Sequence, residues 1–537
     1  MCVLLFFLGY GRINLSAPSV GDPCPYHILK EKWMPEIKDA TFWANQIRSG
    51  ALSAETLLEM TKEKIEQLNP LYNAVVADDL SLAKQDLAQT TPGFFAGVPF
   101  ALKMLGQTHE GLPDTSSSLL FADVTAEADD NYVKGIMQAG LTPYGQTNSP
   151  EFGFKNISDS KLYGDTRNVW NPAYYSGGSS GGAASAVASG MFSIAGASDG
   201  GGSIRIPASF SGLIGLKMTR GRMPQGPGYY RGWQGAAITG ALNVSVRDTA
   251  RFLLELQTVQ EGAPYQAPLV DEQQLIELCE TTDRPVSNKK IAFSLESPIK
   301  GVELSEDAIK AVRKAVQFLK DQGHEVTQVP FPLEATALIR TYYQMNAAET
   351  LAMLEPLEKA TGKKITPPAI EPLSYALLEA GRKVPVTNYI DALVRWDATA
   401  ELFSEKIYQD YDLFLTPTTA KTAPKIGEEL ISPEVLEQLH QIAHYDFEKQ
   451  MEIIEQAFAR SLAFTPYNFI SNLTGQPALS LPIYVNEKTN LPLGVQLWGP
   501  KNSEILLLQV AKAFEDAGLL LLPEYYRKRD ADGAVSQ

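Results

Sequence analysis

Two serines in this chain of 537 residues, Ser179 and Ser203, each stand inside a cluster of glycines. The first cluster reads Gly177-Gly178-Ser179-Ser180-Gly181-Gly182 and the second Asp199-Gly200-Gly201-Gly202-Ser203. Glycine at this density marks backbone conformations that a Cβ forbids and places where the chain must approach a ligand closely. Three glycines in a row cost conformational entropy in any ordered turn, so a loop that keeps them gains something from its bare amides. Convergence of N–H groups on one developing oxyanion is such a gain, and losing a single donor costs roughly 3–4 kcal/mol of transition-state stabilisation. A serine presented beside those amides is placed to act as a nucleophile. The commoner use of serine, capping the next helix, leaves the three glycines unexplained.

A nucleophilic serine needs a base. Only five histidines occur in the chain, none near either glycine cluster, and His109 has no carboxylate partner evident in the sequence, so a Ser-His-Asp arrangement is the weaker reading. Gly97-Val98-Pro99-Phe100-Ala101-Leu102-Lys103 instead ends an apolar run in a lysine and reads as a buried strand. A buried lysine loses the hydration of its ammonium form, its pKa falls, and it becomes a base near neutral pH. The first glycine cluster lacks the Gly-Lys-Ser/Thr ending of a phosphate loop and does not follow G-x-G-x-x-G. Asp199 and Arg205 lie among Gly, Ser and Ile in a stretch that reads as buried, where charges must pair, which makes them supports of the loop.

The remaining composition narrows the function classes. Forty-six basic against 62 acidic residues give a net charge of −16, which disfavours nucleic acid as a partner. The three cysteines, Cys2, Cys24 and Cys279, have no metal-ligand spacing, so neither a disulfide framework nor a metal is expected. His440 and His444, four apart on an expected helix with no carboxylate motif around them, read as solvent-facing or capping. The apolar run from Cys2 to Leu8 lacks a preceding basic residue; the reading is a cytoplasmic protein without a transmembrane anchor, with a truncated export signal as the alternative.

Strand and helix signals alternate along the chain, as in an α/β sheet. Helix is expected over Asp39 to Asn69, with Ser53 as a cap, and over Ser81 to Gln89, Asn131 to Ala139, Ala183 to Ser189 and Ser305 to Gln322. Strands are expected at Ala74 to Val76, Phe100 to Lys103, Thr142 to Gly145, Phe192 to Ala197 and Leu213 to Lys217, while Asp412 to Thr418 and Asn472 to Ala478 read as strand and turn. The expected organisation is an N-terminal segment, residues 1–35, then a single domain over 36–530 with a more variable helical insert around 286–410.

The glycine clusters and the Lys103 strand together resemble the amidase signature family of serine hydrolases. Thr147-Asn148-Ser149-Pro150-Glu151-Phe152-Gly153 and the two strand-and-turn segments near 412 and 472 are also similar to family segments. The likeness runs from about Leu57 to about Gly518 and is strongest between Gly97 and Thr219. It implies a large mixed β-sheet flanked by helices on both faces, an α/β/α sandwich, and a Ser-Ser-Lys triad of Lys103, Ser179 and Ser203. Ser203 is then the acyl-accepting nucleophile, with the amides of Gly200, Gly201, Gly202 and Ser203 as the oxyanion hole. A cis peptide is implied between Gly178 and Ser179, aiming the Ser179 hydroxyl between Lys103 and Ser203, with Ser180 in support. Asn148, Gly153 and Gly178 are implied near the substrate, and Tyr229, Tyr230 and Trp233 offer either an aromatic pocket wall or plain packing. Gly200, where the commoner family wording has threonine, is most like the bacterial branch containing 6-aminohexanoate cyclic dimer hydrolases. The resemblance implies an amidase without cofactors, acting on a small linear or cyclic amide as a monomer or homodimer. The alternatives within the family are the A subunit of an aminoacyl-tRNA amidotransferase and a catalytically inactive binding protein.

Overall fold

Alternation of strand and helix produces one mixed sheet of eleven strands in the computed structural model, which describes residues 37–89, 93–280 and 286–527. The expected segment 1–35, with Cys2 and Cys24, lies outside the described residues. In chain order the strands are β1 (Val75–Ala77), β2 (Val98–Lys103), β3 (Leu141–Thr147), β4 (Ala195–Asp199), β5 (Ile214–Lys217) and β6 (Ile238–Asn243). They continue with β7 (Lys290–Phe293), β8 (Glu325–Gln328), β9 (Leu413–Pro417), β10 (Ala478–Asn486) and β11 (Leu491–Trp498). Across the sheet they run β1-β3-β2-β4-β6-β5-β10-β11-β9-β7-β8. β2 is parallel to both β3 and β4, β7 is parallel to both β8 and β9, and the remaining neighbours are antiparallel.

Side-chain alternation along the strands feeds two hydrophobic cores, one on each face. In β9, Leu413 and Leu415 join the core that contains Val312 and Leu508, while Phe414 between them joins the core that contains Trp396 and Phe403. Helices cover both faces, which gives the α/β architecture that the alternating signals imply. Among the described residues, no helix is long and apolar enough to cross a membrane.

Four local expectations differ from the structure. The helix expected over Asp39 to Asn69 is two, Ala40–Arg48 and Ala54–Tyr72. Ser53 accepts the Thr56 amide at 3.0 Å and starts the second helix afresh, and Gly50 takes a positive φ of 75° in the break. The segment 286–410, expected as a helical insert, contributes β7, β8 and the Glu306–Asp321 helix to the main sheet before its purely helical part begins at Thr336. Asn472, read in a strand-and-turn segment, sits in the Asn468–Thr474 helix, which ends at Gly475 in the left-handed region that Gly adopts freely. His440 ends one helix and His444 lies in a separate 3₁₀ turn, so the two do not share a helix face; both are exposed.

Candidate active site

Parallel neighbours β2 and β4 finish at the same edge of the sheet, and side chains at their ends meet there. Lys103 closes β2 and is completely buried. Its Nζ is 2.6 Å from Ser179 Oγ and 2.9 Å from Ser198 Oγ. Without water to solvate the ammonium, burial pulls the Lys103 amine down to about 7, against the opposing pull of the Asp199 carboxylate. Ser179 precedes the Gly181–Ala188 helix, and the Gly178–Ser179 peptide is cis. Ser180 exchanges hydrogen bonds with the backbone of Ser198, both at 3.3 Å, and so ties this loop to β4.

The second glycine loop leaves β4 at Asp199 and leads through Ser203 to the Arg205–Ser211 helix. Asp199 and Arg205 are both fully buried and face each other with Arg205 Nη2 2.9 Å and Nε 3.0 Å from the carboxylate. Burial by itself would raise the Asp199 pKa, but the Arg205 charge and hydrogen bonds, with help from Asn472, hold the carboxylate at about 2. Arg205 also reaches Gln496 at 2.9 Å, the Asn468 carbonyl at 2.9 Å and Asn472 at 2.7 Å, so each guanidinium nitrogen has an acceptor. This network shapes the loop from beneath. It also changes the inventory of oxyanion donors. The Gly202 amide, expected to face the oxyanion, donates to Asp199 Oδ1 at 2.6 Å, because the carboxylate curls back to close its own turn. Gly202 holds φ at 127°, which only glycine tolerates. The amides of Gly200, Gly201 and Ser203 take no acceptor among the described residues.

Ser203 opens onto a cleft whose walls include Gly153, Gly201, Tyr342, Tyr343, Phe458 and Phe469. No hydrogen bond joins Ser203 Oγ to Ser179 or to another described residue. Tyr343 stacks on Phe458 with ring centres 4.5 Å apart, and the Tyr342 hydroxyl stands over Gly201, where a Cβ would come within 2.6 Å of it. Trp233 stacks on Phe154 and lies edge-on to Tyr342, and its ring fills the space that a Cβ on Gly200 would need. Of the three aromatics singled out in sequence, Trp233 is therefore at the glycine loop. Tyr230 packs elsewhere, with its hydroxyl 3.4 Å from Asn131 Nδ2, while Tyr229, 52% exposed overall, sets its hydroxyl against the Trp233 backbone near Tyr342. Among the described residues of the cleft lining, Lys155 is the one side chain that carries charge at neutral pH. It is held by Asp159 at 2.7 Å and Glu371 at 2.6 Å.

Gly153 borders the cleft beside Ser179: a Cβ there would sit 3.3 Å from the hydroxyl. Asn148 does not reach the cleft. It is fully buried and donates to the Gly164 carbonyl and to Thr166 Oγ1, both at 2.9 Å, which pins the 159–165 hairpin instead. Gly178 is wedged against the backbone of Asn156 and Ile157, where a Cβ cannot fit, so it shapes the loop rather than the cleft wall. Two of the polar residues that the sequence reading missed bear directly on the lysine and the glycine loop. Ser198 touches the lysine directly, and period-two alternation from Asp199 would have placed it on the opposite face of β4. Asn472 accepts from Arg205 and donates to Asp199 from more than 260 residues away, a contact with no local signal.

His109, without a partner in the sequence reading, has two. Its Nδ1 is 2.7 Å from Asp129 and its Nε2 2.8 Å from Asp86, so both ring nitrogens are spent on carboxylates and neither serves a serine. Among the described residues no cluster of His, Cys, Asp and Glu could hold a metal ion.

A family model described as Amidase matches residues 55–508. A lipoamidase of Enterococcus faecalis is 35% identical over 487 residues, which is 88% of this chain and 62% of that protein's length. The 6-aminohexanoate-cyclic-dimer hydrolase of Paenarthrobacter ureafaciens is 30% identical over 489 residues, 89% of this chain and 94% of its own. A solved structure of 6-aminohexanoate cyclic dimer hydrolase superposes with a TM-score of 0.80 at 29% identity, covering 92% of this chain and 98% of that one.

Proposed function

The chain belongs to the amidase signature family and is a hydrolase of carbon–nitrogen bonds; from that premise we propose that it cleaves uncharged amides through Lys103, Ser179 and Ser203. The observation that carries the reading is a buried amine at the end of β2, pulled to about 7 and 2.6 Å from a serine hydroxyl. Neutral Lys103 accepts the Ser179 proton as Ser179 accepts that of Ser203, and Ser203 Oγ forms a bond to the amide carbonyl carbon. The carbonyl π pair moves to oxygen, where the amides of Gly200, Gly201 and Ser203 are the available donors. Collapse breaks the C–N bond while the relay returns a proton to the departing amine. Water then attacks the acyl-serine by the same relay, releasing the carboxylic acid and restoring Ser203.

The cleft supports an uncharged substrate with a substantial apolar part. Ile339, Tyr343, Phe458, Leu462 and Phe469 give it apolar walls, and its one cation is already shared between two carboxylates. The similar proteins named for lipoyl amides and for a cyclic aminohexanoate dimer make lipoyl-amide and cyclic or linear oligoamides the first substrates to try. The deciding experiment is a panel of neutral and carboxylate-bearing amides, incubated with wild type and Ser203→Ala. Turnover of neutral members by wild type alone is expected; equal turnover by the Ser203→Ala protein would end the proposal.

A further inference from the structure

β2 and β4 are parallel neighbours that pair at a single point, Ala101 with Ala195. An unbroken ladder would next join Lys103 to Ala197. There the strands part, and the carboxamide of Gln107 lies between them. Its Oε1 accepts the Lys103 amide at 2.7 Å and its Nε2 donates to the Ala197 carbonyl at 3.0 Å. Gln107 is 1% exposed, so both bonds are made without competing water. The parting is one-sided. On its other edge β2 continues its ladder with β3 past Lys103, where the Met104 amide donates to the Thr147 carbonyl at 3.1 Å. Gly106, at a φ of 65°, turns the chain so that Gln107 folds back over the end of its own strand. On β4 the opposite residue is Gly196, and a Cβ there would collide with the Gln107 carboxamide oxygen.

We propose that Gln107 is a positioning residue for Lys103: its side chain replaces a missing rung and fixes the width of the gap across which the lysine meets Ser198 and Ser179. The proposal rests on the reading of Lys103 as the base. The geometry leads to it because the lysine amine is offered by β2 while one of its two hydroxyl partners, Ser198, is carried by β4. Any change in the spacing of the strands moves donor against acceptor and opens a path for water to the amine. A carboxamide suits the task. It donates once and accepts once, and it brings no charge that would fix or repel a proton on Lys103.

The test is the pH dependence of kcat and kcat/KM for a neutral amide, measured on wild type, Gln107→Met and Gly196→Ala, with Lys103→Met and Ser203→Ala as controls. Gln107→Met keeps the volume and removes both bonds. Gly196→Ala leaves Gln107 intact but displaces its carboxamide, the flexible end of a side chain, so it reaches the same device from the other strand. Each variant is expected to lose kcat by roughly 10- to 100-fold, the scale of an ångström misplacement, with KM little changed. The acid limb of kcat/KM is expected to move to higher pH by roughly half a unit or more as water reaches the amine. Wild-type kcat, or a lower kcat with an unmoved acid limb, in whichever of the two variants folds would overturn the proposal. Turnover by Lys103→Met would instead overturn the reading of the base.

Discussion

Replacing Lys103 with methionine should abolish turnover and stabilise the fold, by an amount set by pH. The unfolded chain titrates this amine near 10.5, whereas burial in the fold lowers it to about 7. Between those values the unfolded chain binds a proton that the folded chain does not. Wild-type stability therefore rises with pH across the window from about 7 to 10.5, and below 7 the cost of burying the group is at its fullest. At about 1.4 kcal/mol per pH unit, expelling the proton costs ~4 kcal/mol at pH 7 and ~2 kcal/mol at pH 9. Methionine keeps the apolar stem and has no proton to expel. It forfeits the bonds to Ser179 and Ser198, together worth about 1–3 kcal/mol. The variant should thus be the more stable protein at pH 7 and lose most of that advantage by pH 9. The change between the two pH values, ~2 kcal/mol, does not depend on what the lost hydrogen bonds are worth. Urea unfolding of both proteins at pH 7 and pH 9 reads it directly. Parallel pH dependence in the two proteins would show that Lys103 titrates in the fold as it does in the open chain, and the neutral-base argument would collapse.

Removing the second hydroxyl on the lysine, by Ser198→Ala, should lower kcat about tenfold, equivalent to about 1.4 kcal/mol, with KM near wild type in steady-state assays. Arg205→Met strands the Asp199 carboxylate in the interior and should destabilise the protein by about 3–5 kcal/mol in chemical denaturation, with activity falling as the glycine loop loses its support. His109 responds to pH in the opposite sense to Lys103. Burial lowers its pKa, but the hydrogen bonds and charges of Asp86 and Asp129 outweigh that and leave it above the ordinary 6.5. Its contribution is complete below 6.5 and fades as pH rises through the folded-state value, so the melting-temperature gap between wild type and His109→Asn should be wider at pH 6 than at pH 9.

The parts of this molecule that were readable in sequence are those whose reasons are local. Three successive glycines announce a loop of bare amides, an apolar run ending in lysine announces a buried strand, and Ser53 caps the helix that it seemed to cap. What escaped depends on contacts between distant segments. The bond from the Gly202 amide to Asp199, three residues earlier, is local, but Asn472, which helps to fix that carboxylate, reaches it from 273 residues away. Asn148 sits in a segment similar to the family's active-site wall, yet its carboxamide faces the hairpin behind it. Two carboxylates converge on His109 from positions 23 residues before and 20 after, spacings that no helix or strand period predicts. Strand β7 and the edge strand β8 went unread: each opens on an exposed charged residue, Lys290 or Glu325, whereas the equally short β5 is buried throughout and shows as an apolar run.

Lys103, Ser179, Ser198 and Ser203, the groups of the proposed site, all come from residues 103–203, and the aromatic and aliphatic flank of the cleft comes chiefly from 339–469. Under the proposed mechanism, reactivity and selectivity are consequently written in largely separate stretches of the chain. In the proposed mechanism, exchanging the helices of that stretch between relatives would re-tailor which molecules are accepted while sparing the proton relay, provided that Asn468, whose carbonyl holds Arg205 under the glycine loop, stays in place.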